Sequence, residues 1–170
     1  VADVGITGED RGRGSKYLIL PPGYEGDIPA GFFVVRPSTY GSWMPFRSFL
    51  VGGSPKPGVE FVKKTLKIYP LAEASNPPEM KLVNASGIPS NFVFPGDYSF
   101  WELLNQVIQE EPSEGSDPTT VGLFASIGIV KGEPFNPDER MKKILTDAAN
   151  IGAVTARTIA YKMRDKDAYY

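Results

Sequence analysis

The sequence predicts an α+β protein with β-sandwich or jelly-roll-like strands in its first half and helices in its second. Two observations carry this. Over the first hundred residues, short apolar runs alternate with turns rich in Gly and Pro, as in sheets built from many short strands. From Asp97 onward, apolar residues recur at helical spacing between start and stop signals. The expected division is therefore a partial β-sandwich over residues 1–96 and a helical region over residues 97–170.

In the first half, Tyr17-Leu18-Ile19-Leu20 reads as a strand stopped by Pro21-Pro22-Gly23. Gly31 to Arg36 reads as a second, stopped by Pro37. Trp43 to Val51 is a third, ended by Gly52-Gly53, with Pro45 marking an edge or a bulge. A short helix follows, with Ser54 as cap, Pro55 in the first turn and Val59, Val62 and Leu66 on one face. Ile68 to Leu71 looks extended, Asn76-Pro77-Pro78 is a loop, and Lys81 to Asn84 and Phe92 to Phe94 are further strand candidates.

In the second half, Ser99 and Glu102 have the spacing of a capping box. Phe100, Leu103, Leu104, Val107 and Ile108 follow on one helical face, and Pro112 ends the helix. The aromatic run Tyr98 to Trp101 shares that helical spacing, so it reads as packing rather than as a ligand box. Asp117-Pro118 opens a shorter helix with Gly128 as its stop. Asn136-Pro137-Asp138-Glu139 opens the longest, expected to run to about Lys162. On it Ala148, Gly152, Ala156 and Ala160 make a stripe of small residues four apart, read as close packing within the chain in preference to a subunit contact. Lys162 to Tyr170 reads as a linker into another element.

Composition narrows the chemistry. The 170 residues include 41% hydrophobic positions, enough for a core, and a net charge of −2. That balance, with Lys and Arg scattered, argues against a nucleic-acid binder and against a polybasic membrane patch. No apolar run approaches a membrane span. There is no Cys and no His, which removes thiol nucleophiles, disulfides, the Ser-His-Asp triad and the usual zinc ligands. Carboxylate, Lys, Tyr or Arg chemistry remains, or none; no cofactor is indicated. The chain begins at Val1 inside an apolar stretch, which reads as a processed or shortened start.

Gly5-Ile6-Thr7-Gly8, Arg11-Gly12 and Lys16-Tyr17-Leu18-Ile19-Leu20-Pro21-Pro22-Gly23-Tyr24 keep the order and approximate spacing of a known pattern. Gly26, Pro29, Gly31, Val34-Val35-Arg36, Trp43, Arg47 and Ile68-Tyr69-Pro70-Leu71 continue it. On these residues, the stretch from Asp3 to Leu71 resembles the bacterial family of unknown function DUF1254. One departure is Arg36-Pro37-Ser38-Thr39, where the family tends to read Arg-Ser-Pro-Thr. The resemblance implies an exported, periplasmic or extracellular two-domain protein with jelly-roll-like domains and no agreed activity. Residues 98–170 look like its helical connector toward a DUF1214 domain. A chain of this kind would lack strands of its sheet, leaving a costly bare edge. The expected cover is the remainder of the same protein or a second copy, in a homo-oligomer or an intertwined assembly.

Three groups of residues are site candidates. Gly8 to Lys16 superficially suggests a phosphate loop, but Arg13 stands where the second Gly of that motif belongs and no helix follows. Arg36, Tyr40, Trp43 and Arg47 are the candidate ligand-binding set. Rigid guanidinium forks with aromatics between them suit an anionic or sugar ligand, or else brace the fold by pairing with Asp3 or Asp10. Glu110, Glu111, Glu114 and Asp117 cluster around Pro112. Solvated loop acids are the ordinary reading, against a calcium site or a glycosidase-like carboxylate pair. The leading expectation is a non-catalytic binding or assembly module. The alternative is a carboxylate enzyme, or half of one, acting on an extracellular glycan-like polymer, and a weaker third is a small-ligand carrier using Arg36 and Arg47.

Overall fold

The computed structural model describes residues 3–162. Its regular elements are β1 (Tyr17–Ile19), β2 (Phe33–Val35), α1 (Lys56–Thr65), α2 (Ser99–Glu110), α3 (Pro118–Ser126) and α4 (Glu139–Tyr161). Three short 3-10 turns lie at Gly5–Thr7, Leu71–Glu73 and Ser113–Gly115. Helix therefore predominates, beside a small two-stranded parallel sheet. The chain forms two compact units. One holds residues 3–19, Ile28–Val35 and Ser42–Ser90; the other holds Leu20–Asp27, Arg36–Gly41 and residues 91–162.

The expected sandwich or jelly roll is not formed among the described residues. In the first unit β1 pairs β2 in parallel, with Tyr17 opposite Phe33 and Ile19 opposite Val35. The rings of Tyr17 and Phe33 meet at 5.4 Å. A parallel pair needs a long return of chain, and residues 20–32 supply it without a helix. The other extended candidates, at 43–51, 68–71, 81–84 and 92–94, have no strand partner beyond a bridge between Val51 and Ser54. Apolar and β-branched side chains mark a segment that suits a sheet, but a strand forms only where a neighbour offers hydrogen bonds.

The helices sit close to where their signals fall. Ser54 Oγ accepts from Lys56 N at 3.3 Å at the start of α1. Gly58 is the buried residue of that helix; a Cβ there would lie 2.2 Å from Ser48 Oγ, so the backbone makes the contact itself. At α2 the expected Ser99 cap is not formed: the cap position is Tyr98, which makes no side-chain capping bond, and the acceptor ahead of it is Asp97. Its Oδ1 accepts from Ser99 N at 2.9 Å, which places Ser99 inside the first turn. Asp117 Oδ2 accepts from Thr120 N at 2.8 Å to open α3, and Gly128, with φ of 90°, turns the chain after it. Asp138 Oδ1 accepts from Met141 N at 2.7 Å to open α4.

The second unit is tied together by main-chain contacts from side chains. Leu145 and Ala149, four apart on α4, are buried, as is Ile129. The Trp101 indole of α2 donates to Leu145 O at 2.7 Å, joining α2 to α4. Tyr98 stacks on Phe135 with ring centres 6.3 Å apart. Glu111 is extended ahead of Pro112, as sterics before a proline require, and α2 stops there. Lys131 Nζ then donates to Ile108 O at 3.3 Å and to Gln109 O and Glu111 O at 2.7 Å each, satisfying carbonyls that have no partner within the helix. Beyond Asn150 α4 is largely exposed, including Gly152, Ala156 and Ala160. The small-residue stripe is thus not packed within the chain as expected; beside it, a Cβ on Gly96 would lie 3.5 Å from Ala153 Cβ and 3.9 Å from Asn150 Cα. Of the expected terminal linker, residues 163–170 lie outside the described residues.

Replacing Trp101 with Phe keeps a ring but removes the indole N–H. A loss of about 1–2 kcal/mol is expected, read from the urea midpoint at unchanged slope. An unchanged midpoint would show that the α2–α4 junction does not rely on this bond.

Candidate functional site

The tightest polar arrangement lies in the first unit, in the loop that superficially suggests phosphate binding. Its centre is Asp10, only 5% exposed. Oδ1 accepts from Gly5 N at 2.8 Å and from the Tyr17 hydroxyl at 2.7 Å; Oδ2 accepts from Gly14 N at 3.0 Å. The glycines permit this wrap. Gly5, Gly12 and Gly14 all have positive φ, and a Cβ on Gly8 would fall 2.4 Å from Asp3 O. The Tyr17 hydroxyl, followed by the amides of Gly5 and Gly14, holds the Asp10 carboxyl below the usual carboxylate range against the opposing effect of burial. Burial and the carboxylate together push the Tyr17 phenol up. The loop is folded around its own anion, so it offers its amides to Asp10 and not to a ligand.

That arrangement also decides what the arginines do not do. Asp10 is engaged by amides and a phenol, and among the described residues neither Arg36 nor Arg47 forms an ion pair. Arg36, just after β2, is exposed and donates Nη1 to Tyr24 O at 3.3 Å. Tyr40 is held through its backbone, whose N–H donates to the Glu111 carboxylate, while its ring is 60% exposed. Arg36 and Tyr40 fall in the second unit, Trp43 and Arg47 in the first. Trp43 is 88% exposed and Arg47 is exposed too.

The acids around Pro112 are largely structural. Glu111 accepts from Tyr40 N and, at 2.8 Å, from Gly41 N, so it anchors the 36–41 segment to the end of α2. Gly115 allows the same segment to come close, since a Cβ there would lie 2.4 Å from Ser38 O. Glu110 accepts from Gln106 at 2.9 Å and Asp117 caps α3. Among the described residues no group of three or more acidic side chains converges to hold a metal ion.

The family model described as protein of unknown function (DUF1254) matches residues 2–70. The match covers less than half of the chain and falls on the stretch whose residues carry the resemblance. No curated protein matches the chain.

The DUF1254 segment includes β1, β2, α1, the Asp10 loop and all four ligand-binding candidates. Of the three donors to Asp10, Gly5 and Tyr17 belong to the residues on which the resemblance rests, and Gly14 belongs to the glycine loop between them. Sequence reasoning named those glycines and missed their common acceptor. The available signal was an acid flanked by Gly5 and Gly14, with Tyr17 seven positions on. Beyond the polar loop the largest unexplained feature is apolar and extended. Trp43, Phe49, Val83, Phe92 and Phe94 are each at least three-quarters exposed. No helix among the described residues is long and apolar enough to cross a membrane.

Two outcomes are expected at this loop. Gly8→Ala should cost about 1–3 kcal/mol in a denaturant titration, because the added methyl meets fixed backbone. Asp10→Asn should flatten the acid limb of the stability curve. In the native loop the carboxylate is the bound form, so its contribution is full above the unfolded pKa of about 3.9 and is lost as pH falls through the lower folded value. Thermal midpoints across that acid range report the difference. Identical limbs for the two proteins would remove Asp10 as the acid-sensitive group.

Proposed function

We propose that this chain is a non-catalytic binding or assembly module of an exported two-domain protein. Its extended apolar segments complete a sheet with polypeptide from elsewhere in that protein or from a second copy. The observation that carries this reading is the state of residues 43–50 and 81–94. Apart from a turn at Ser86-Gly87 they form no regular element, they are rich in exposed large apolar side chains, and no strand flanks them among the described residues. Isolated surface hydrophobics need no explanation, but runs of them on unpaired backbone mark an interaction surface. A jelly-roll-like layer would then arise on assembly, with these segments as strands. Export to the periplasm or the cell exterior belongs to the same proposal and rests on the family resemblance.

Trp43, exposed beside Arg47 on one such segment, belongs to the assembly surface in this reading. Amide hydrogen exchange tests it. In the 170-residue chain alone the amides of residues 43–50 should exchange at nearly unprotected rates. In the longer gene product the same amides should slow by about a hundredfold or more. Trp43→Asp with Phe49→Asp should abolish that slowing while leaving α2 and α4 protected. Equal, fast exchange in both proteins would overturn the reading. Fractionation of cells expressing the longer product, with the protein retained in the cytoplasm, would overturn the export part alone.

A further inference from the structure

In the second unit, the last turns of α2, the Ser113–Gly115 turn, α3 and residues 129–131 enclose a cleft of about 260 Å³. It does not involve the extended segments considered above. Its walls are mainly apolar: Val107 and Ile108 from α2, Val121, Phe124 and Ala125 from α3, and Val130. Several of these stay in contact with water; Val107 is 51% exposed and Val130 39%. A wetted apolar hollow of this size gains free energy from any apolar body that displaces its water. An apolar cavity of roughly 150 Å³ already suffices for benzene.

The two charged residues at the cleft select against a charged occupant. Lys131 spends its three donors on Ile108 O, Gln109 O and Glu111 O. The Glu111 carboxylate accepts from the Tyr40 and Gly41 amides, one on each oxygen. Binding an anion would pull Lys131 from the end of α2, and binding a cation would compete with the anchor of residues 40–41. By contrast, the hydroxyls of Ser113 and Ser116, also at the cleft, have no hydrogen bond to another described residue. They can meet one polar group of a ligand without breaking anything.

We propose that this cleft binds a neutral, ring-sized apolar molecule bearing a single hydroxyl, a simple phenol or an alcohol of similar size. The α2 and α3 side chains supply the contact area, and Ser113 or Ser116 fixes the hydroxyl. The occupant is a small molecule because the hollow holds only about 260 Å³, and the 36–41 segment, pinned by Glu111, adds Thr39 to its wall.

The test uses the 170-residue chain with 4-methylphenol, toluene and benzoate as probes, followed by titration calorimetry and by methyl NMR. The expected result is saturable binding of 4-methylphenol, with shifts at the methyls of Val107, Val121 and Ala125, and benzoate weaker by about tenfold or more. Ala125→Phe, which fills the hollow from α3, should abolish binding. Ser116→Ala combined with Ser113→Ala should weaken 4-methylphenol about tenfold and leave toluene unchanged. Should Ala125→Phe fail to fold, the methyl shifts in the unaltered chain carry the decision. The proposal is overturned by the absence of saturable binding of both neutral probes, by benzoate binding as tightly as 4-methylphenol, or by shifts that map away from α2 and α3. A raised melting point in Ala125→Phe without any binding in the unaltered chain would identify the hollow as a packing gap and overturn it equally.

Discussion

A backbone N–H or carbonyl removed from water must find a partner, and regular structure is the usual source. This chain has little sheet to provide it, so polar side chains do so. Asp10 gathers Gly5 N, Gly14 N and the Tyr17 hydroxyl at the entrance to β1. Glu111 takes the amides of Tyr40 and Gly41, and Lys131 closes the carbonyl end of α2. Gln109 joins α2 to the following loop by accepting from Gly132 N at 2.7 Å and donating to Val130 O at 2.9 Å. Each of these charged or amide groups bonds main chain, and the three ion pairs among the described residues are local, one within α1 and two within α4. Exposed pairs of that kind contribute little, so the fold depends on side chain to backbone bonds.

The same constraint explains the apolar surface. Five hydrophobic residues are buried among those described, Leu18, Leu20, Ile129, Leu145 and Ala149. Many large apolar side chains are left on the surface, and they concentrate where backbone is extended and without a ladder. Packing and pairing fail together there because they are one event: a neighbouring strand supplies both the hydrogen bonds and the face against which side chains pack. In the helical unit the backbone satisfies itself, so a modest buried stripe on α4 and one indole bond are enough to organise it.

The candidate sites divide along similar lines. Arg36, Tyr40, Trp43 and Arg47 were legible as a set by type, because guanidinium and ring have obvious chemistry. Their placement was not, since it follows from which backbone contacts hold residues 36–41 to α2. Glu111 read as one acid in a solvated cluster; its work as an anchor depends on two amides about seventy positions earlier in the chain. Asp10 was hidden for a related reason. Its glycine-rich surroundings were legible, but its burial is decided by the path that those glycines allow the backbone to take.

By itself the sequence determined the helices, their openings at Asp117-Pro118 and within Asn136 to Glu139, their ends at Pro112 and Gly128, and the resemblance of the stretch from Asp3 to Leu71 to DUF1254. These features are local: capping, proline sterics and the order of short motifs act within a few residues. It also located β1 and β2, whose runs are bounded by prolines and glycines. Only the tertiary structure decided which extended runs become strands, that Ser99 lies inside the first turn of α2 and does not cap it, and that the glycine loop closes on Asp10. Strand pairing requires a partner distant in the chain, and the burial of Asp10, though its partners lie four to seven positions away, requires a backbone path that periodicity does not encode.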